Sequence, residues 1–177
     1  MHIDPKRTLL AGLFLGLATA TSGGYAWEQL LPSSDGYGNV VISLGTDPTK
    51  DPEPACVALQ IGMNLLMSDL NGPAAGGGVT PAERVVLFVT LDGVELVAPG
   101  SDDPKSKISK QTCRTAGDSA PLSAILSRFV DLNGEVVVCP LCWIERGYIG
   151  QDPTYGIVAS GFDIHSLFLY ADKVITF

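Results

Sequence analysis

Gly134-Glu135-Val136-Val137-Val138-Cys139-Pro140-Leu141-Cys142-Trp143-Ile144-Glu145-Arg146-Gly147 is the stretch on which the fold turns. Its apolar, β-branched run reads as a strand, and Pro140 suits the first turn of a helix, where a missing N–H costs little. Two cysteines are thereby delivered to the junction where a strand ends and a helix begins. The first helical turn carries N–H groups without intrahelical partners, and its dipole favours negative charge. A thiolate is stabilised there, and the thiolate is the form that attacks sulfur or binds metal. Sulfur chemistry is the leading reading of Cys139 and Cys142. A buried structural thiol pair or a simple disulfide is the alternative.

Working outward, the elements around this stretch alternate. Asn39-Val40-Val41-Ile42-Ser43-Leu44 reads as a first strand, followed by a proline-broken loop through Pro54. Residues 55–70 turn helical, with Val57, Ile61 and Leu65, and also Met63 and Met67, at three- and four-residue intervals. Cys56 opens this helix, read as a small buried hydrophobe rather than a second reactive thiol. Residues 85–91 form an unbroken apolar strand of the kind buried on both faces of a parallel sheet. Asp92-Gly93 marks a sharp turn at its end, and Asp92 reads either as lining a site there or as a turn former.

Residues 99–120 are polar and irregular, contain Cys113, and read either as a loop covering the Cys139 site or as a surface insertion. Residues 121–132 give the clearest amphipathic helix, with Leu122, Ile125, Leu126 and Phe129 on one face. A short strand is expected at 157–159, a helix capped by Asp163 at 163–170, and a last strand at 174–177. Strands alternating with helices predict an α/β fold, a three-layer sandwich with a mostly parallel sheet of about five strands.

Composition bounds the function. Apolar residues make up 46% and charged residues 17% of the 177 residues, which describes a globular chain. The formal charge is −8 with no basic run, so nucleic acid is excluded as a natural partner. The start of the chain reads as an export leader: Lys6-Arg7, an apolar stretch over residues 8–20, then small residues to Ala26. That apolar stretch is about 13 residues, short of the roughly 20 a membrane-spanning helix needs. The expected organisation is a signal peptide over 1–26, a loosely ordered lead-in over 27–37, and one α/β domain over 38–177. A periplasmic or secreted location follows, with a membrane anchor as the alternative. In an oxidising compartment the four cysteines allow three disulfide pairings.

Several motifs carry a resemblance. Asn133-Gly134-Glu135-Val136-Val137-Val138-Cys139-Pro140-Leu141-Cys142, running into Glu145-Arg146-Gly147, resembles the cysteine segment of the DsrE/DsrF-like sulfur-relay family. Arg84-Val85-Val86-Leu87-Phe88-Val89-Thr90-Leu91-Asp92-Gly93-Val94-Glu95-Leu96 is similar to that family's second strand and turn, and Ala171-Asp172-Lys173-Val174-Ile175-Thr176-Phe177 to its last strand. The resemblance implies a flavodoxin-like sandwich and a persulfide carrier at Cys139 or Cys142; Cys139 is favoured because it ends the strand, with Cys142 one turn on as resolving thiol or disulfide partner. It also implies sulfur donor and acceptor thiols or proteins as partners, and a homo-oligomer, a trimer or hexamer. The export leader departs from the family's cytoplasmic relay proteins.

Other chemistries have less behind them. Cys139 and Cys142 supply one short-spaced pair of metal ligands, whereas Cys56 and Cys113 are isolated, so a zinc site is incomplete and no metal is assigned. No phosphate-cradling loop or other cofactor motif occurs, because Gly76-Gly77-Gly78 lacks the Gly-Lys-Ser/Thr ending. His165 stands without a serine elbow motif, and is read as a packing or capping residue. The runner-up is a thiol–disulfide oxidoreductase using Cys-Pro-Leu-Cys. Against it, thioredoxin-like folds place the motif after their first strand, and too few residues follow Cys142 to complete such a sheet. A non-catalytic interaction module is the third class.

Overall fold

The valine run Val136-Val137-Val138 lies in a strand with neighbours on both sides, and both of its faces are buried. The computed structural model describes residues 38–67, 82–114 and 119–177. The expected leader, the lead-in and the glycine-rich link at 72–78 lie outside the described residues. Five strands form one sheet: β1 (Asn39–Leu44), β2 (Arg84–Val89), β5 (Glu135–Val138), β6 (Ile157–Val158) and β7 (Lys173–Thr176). Their order is β6-β5-β2-β1-β7, and every pair is parallel.

Crossover handedness accounts for the layers. From β1 to β2 to β5 the chain steps in one direction, so right-handed connections put α1 (Glu53–Met67) and α2 (Leu122–Asp131) on the same face. From β6 the chain reverses across the sheet to β7, which puts α4 (Gly161–Leu169) on the other face. The two apolar clusters agree. Val40, Ile42, Leu44, Val85, Leu87 and Val89 pack with α1 and α2, while Val41, Val86, Phe88 and Val137 pack with Leu167 of α4. The expected three-layer α/β sandwich with a parallel sheet is the observed fold.

Helix α2 buries the four residues read from its stripe, Leu122, Ile125, Leu126 and Phe129. Left-handed Asn133 (φ 64°) then turns the chain, and Gly134 N donates to Phe129 O at 2.9 Å. Phe129 is fully buried, and a Cβ on Gly62 would come within 2.7 Å of its ring. Truncating such an aromatic costs about 3–5 kcal/mol.

Several expectations are corrected. In α1 the buried face is Ala55, Ala58, Leu59, Gly62 and Met63, while Val57 is 40% exposed and Ile61 and Leu65 are half-buried. Small residues let this helix approach α2 closely, so its lining is not its bulkiest stripe. Strand β2 ends at Val89, because Leu91 adopts φ 48° and opens a 3-10 helix, Leu91–Val97. Segment 99–120 is not irregular throughout, since Thr112–Arg114 (β3) pairs antiparallel with Ser119–Pro121 (β4). Helix α4 is capped by Ser160. Asp163 reciprocates from the third helical position, accepting Ser160 N at 2.7 Å while its own N–H donates to Ser160 Oγ at 3.2 Å. No helix among the described residues is long and apolar enough to cross a membrane.

Candidate functional site

Parallel pairing of β2 with β5 sets Val89 opposite Val138, so the residues after both strands emerge side by side at the carboxyl edge of the sheet. Open α/β sheets bind ligands at this edge. Cys139 N donates to Val89 O at 3.0 Å, carrying the ladder one residue past β5. Cys139 then caps α3 (Pro140–Glu145), with Pro140 in the first turn as its fixed φ allows. Cys142 lies one turn on and faces inward at 8% exposure, whereas Cys139 is half-buried.

The two thiols are free and their Sγ atoms lie 3.0 Å apart. Cys142 Sγ accepts the backbone N–H of Leu91 at 3.0 Å, and Thr90 Oγ1 lies 3.5 Å from it. Burial works against ionisation of Cys142, yet hydrogen bonds with Cys139, Thr90 and Leu91 bring its thiol below the ordinary value, with Glu145 opposing. Burial pushes the Cys139 thiol up, and the neighbouring Cys142 adds to that. The strand-to-helix position was expected to lower a thiol at Cys139. The Cys142 backbone N–H, with Thr90, does act to lower it, but burial and the Cys142 side chain outweigh both, and the Leu91 N–H donates to Cys142.

Arg146 is ion-paired to Asp92, read from sequence as either a site-lining or a turn residue, and to Glu95 at 3.4 Å. Cys56 and Cys113 are disulfide-bonded to each other, with Cα atoms 5.4 Å apart. Cys56 is therefore neither a reactive thiol nor a simple buried hydrophobe, and the segment carrying Cys113 is fastened to α1. His165 is exposed on α4, the helix on the opposite face of the sheet. Among the described residues, no group of three or more histidine, cysteine, aspartate or glutamate side chains could hold a metal ion.

Sequence reasoning located both cysteines but missed Thr90 and Leu91. The available signal was register: an apolar strand ending in Val89-Thr90, parallel to one ending in Val138-Cys139, brings their following residues together.

A five-stranded parallel sheet of this order with helices on both faces defines a three-layer α/β fold, and the dithiol lies at the carboxyl end of one of its inner strands. Among solved structures the chain is similar to the YchN protein from E. coli, a DsrE/DsrF-like protein, with a TM-score of 0.51. That likeness covers 79% of this chain and 98% of YchN at 18% sequence identity, and it is a likeness of fold. No family model and no curated protein matches the sequence.

Proposed function

We propose that this is an exported sulfur-handling protein that binds or relays sulfur as a cysteine persulfide on Cys142, with Cys139 as the resolving thiol, the reverse of the roles expected from the sequence. The observation that carries the reading is the Cys142 sulfur itself, 3.0 Å from Cys139 Sγ and held by the Leu91 N–H at 3.0 Å. Hydrogen bonds to a thiolate favour the charged form, so the nucleophile is prepared before a donor arrives.

In the first step the Cys142 thiolate attacks the terminal sulfur of a donor persulfide. A new S–S bond forms on Cys142, the donor's S–S bond breaks, and the donor leaves as a thiolate that takes a proton from water. An acceptor thiolate can then attack the outer sulfur and regenerate Cys142. Alternatively Cys139, once deprotonated, attacks the inner sulfur, closes the Cys139–Cys142 disulfide and expels hydrosulfide. That sequence oxidises two thiols and reduces the carried sulfur to sulfide.

Export is supported by the leader at residues 1–26 and by the Cys56–Cys113 disulfide, a bond that persists in oxidising compartments. Assembly of copies into a trimer or hexamer is supported by exposed apolar residues on and beside α4, among them Phe162, Leu169 and Val174.

Intact-mass analysis after exposure to a polysulfide donor tests the chemistry. Wild-type protein should gain about 32 Da for one sulfur, and Cys142→Ser should gain none. Cys139→Ser should gain the sulfur and hold it longer. Uptake surviving in Cys142→Ser but lost in Cys139→Ser would exchange the two roles, and uptake unaffected by either change would remove the relay reading. A pair that cycles with disulfides but never gains sulfur would identify a thiol–disulfide oxidoreductase instead.

A further inference from the structure

We infer that Arg146 is a positioning residue for Cys142: bridging Asp92 and Glu95, it clamps the 3-10 turn so that the Leu91 N–H stays on the sulfur. The inference rests on the reading of Cys142 as the attacking thiolate.

Leu91 sits in the left-handed region at φ 48°, where a leucine is rarely found unless its surroundings hold it. Its own side chain offers little hold, being 64% exposed. The restraint comes from the residues that follow. Gly93 N donates to Thr90 O at 2.8 Å, and Gly93 lies so close to Leu44 O that a Cβ would overlap it. That contact fixes the turn from the β1 side.

From the α3 side the restraint is ionic. Arg146 ends the Cys142 helix, its N–H donating to Cys142 O at 3.1 Å. One arm of its guanidinium meets Asp92, the residue next to Leu91, and the other meets Glu95 at 3.4 Å. Tyr148 Oη donates to the second Glu95 oxygen at 2.9 Å, and its ring lies on Trp143 with centroids 4.7 Å apart. The turn that supplies the N–H and the helix that supplies the sulfur are thus tied by one planar fork. Arginine matches two carboxylates in this way and lysine does not.

Positioning and plain charge make opposite predictions. The charged and titratable groups about Cys142 are Cys139, Glu145 and Arg146 from its own segment, and Asp92 and Glu95 from the turn. Tyr148 reaches Glu95 from the far side, and Asp47 acts on Tyr148. Removing the negative charge of Asp92 would, through space alone, make the thiolate easier to form. If Asp92 instead serves to hold the Leu91 N–H in place, removing it makes the thiolate harder to form.

The experiment is the pH profile of Cys142 alkylation by iodoacetamide, read by peptide mass mapping of the full-length protein with this dithiol reduced. Asp92→Ala should move the midpoint upward by about one pH unit, a roughly tenfold loss of rate below it. A midpoint that stays put or falls overturns the inference. Arg146→Lys keeps the charge but not the fork, and should also raise the midpoint; an unchanged midpoint there overturns the inference even if Asp92→Ala does not fold. Because alkylation needs no sulfur donor, a protein that takes up no sulfur sinks the relay reading, while the midpoints still decide the role of Arg146.

Discussion

The backbone N–H of Leu91 donates to Cys142 Sγ at 3.0 Å, joining residues 51 positions apart through the pairing of β2 with β5. A main-chain donor is a dependable way to hold a buried sulfur anion, because it has no side-chain rotamers to lose. It also divides the dithiol into unequal halves: an inward sulfur that the Leu91 N–H meets, and an outer one whose thiol burial and the neighbouring Cys142 side chain push up.

That inequality predicts a two-step titration. Thiolate ultraviolet absorbance should begin to rise below the ordinary thiol value of 9.0, with the second step above it. Cys142→Ser should abolish the early step and leave only a late one. A single step at the ordinary value in the wild-type protein would contradict the asymmetry.

Tyr148 should reveal itself at alkaline pH. Burial, followed by the Glu95 carboxylate, pushes its phenol up to about 12 from 10.0. A group whose folded value is raised contributes stability that is complete below the unfolded value and is lost as pH rises through the folded one. The loss therefore falls between pH 10 and about 12. Urea unfolding across that window should show a steeper decline for wild type than for Tyr148→Phe, and equal declines would refute the assignment.

Gly93→Ala should damage fold and site together. The added methyl would press on the carbonyl of Leu44, backbone that cannot swing aside. Overpacking of this kind costs about 1–3 kcal/mol. Because the displaced segment carries Leu91, thermal unfolding should shift down and Cys142 alkylation should slow at neutral pH. A variant as stable and as reactive as wild type would count against this packing.

The disulfide should be structural and independent of the chemistry. Cys56 and Cys113 close a loop with a sequence separation of 57, which the chain-entropy account values at about 4 kcal/mol. Replacing both with serine should lower the urea midpoint by a corresponding amount, while sulfur uptake by the folded protein persists. Loss of uptake in protein still folded by circular dichroism would show that the two cysteine pairs are coupled.

The legible parts of the fold were those whose burial is written in side chains. Strands β1, β2 and β5 are covered on both faces and so appear as continuous apolar runs. Helix α2 has one wet face and one dry face, and its stripe was read correctly. Helix α1 is apolar on most sides, so periodicity did not tell which stripe its partner covers. Both site cysteines were visible because Pro140 and the valine run mark a strand-to-helix junction. Leu91 was invisible because its contribution is a backbone angle and an N–H, for which leucine carries no signature. The Cys56–Cys113 pairing depends on how the β3–β4 hairpin folds against α1, a long-range contact that spacing does not encode.

The sheet ends in two short strands, β6 with two residues and β7 with four, and Lys173 opens the latter. Unpaired strand edges are where chains join one another by adding strands, and brevity and a charged residue both discourage such growth. This architecture therefore resists open-ended polymerisation along its hydrogen-bonding direction.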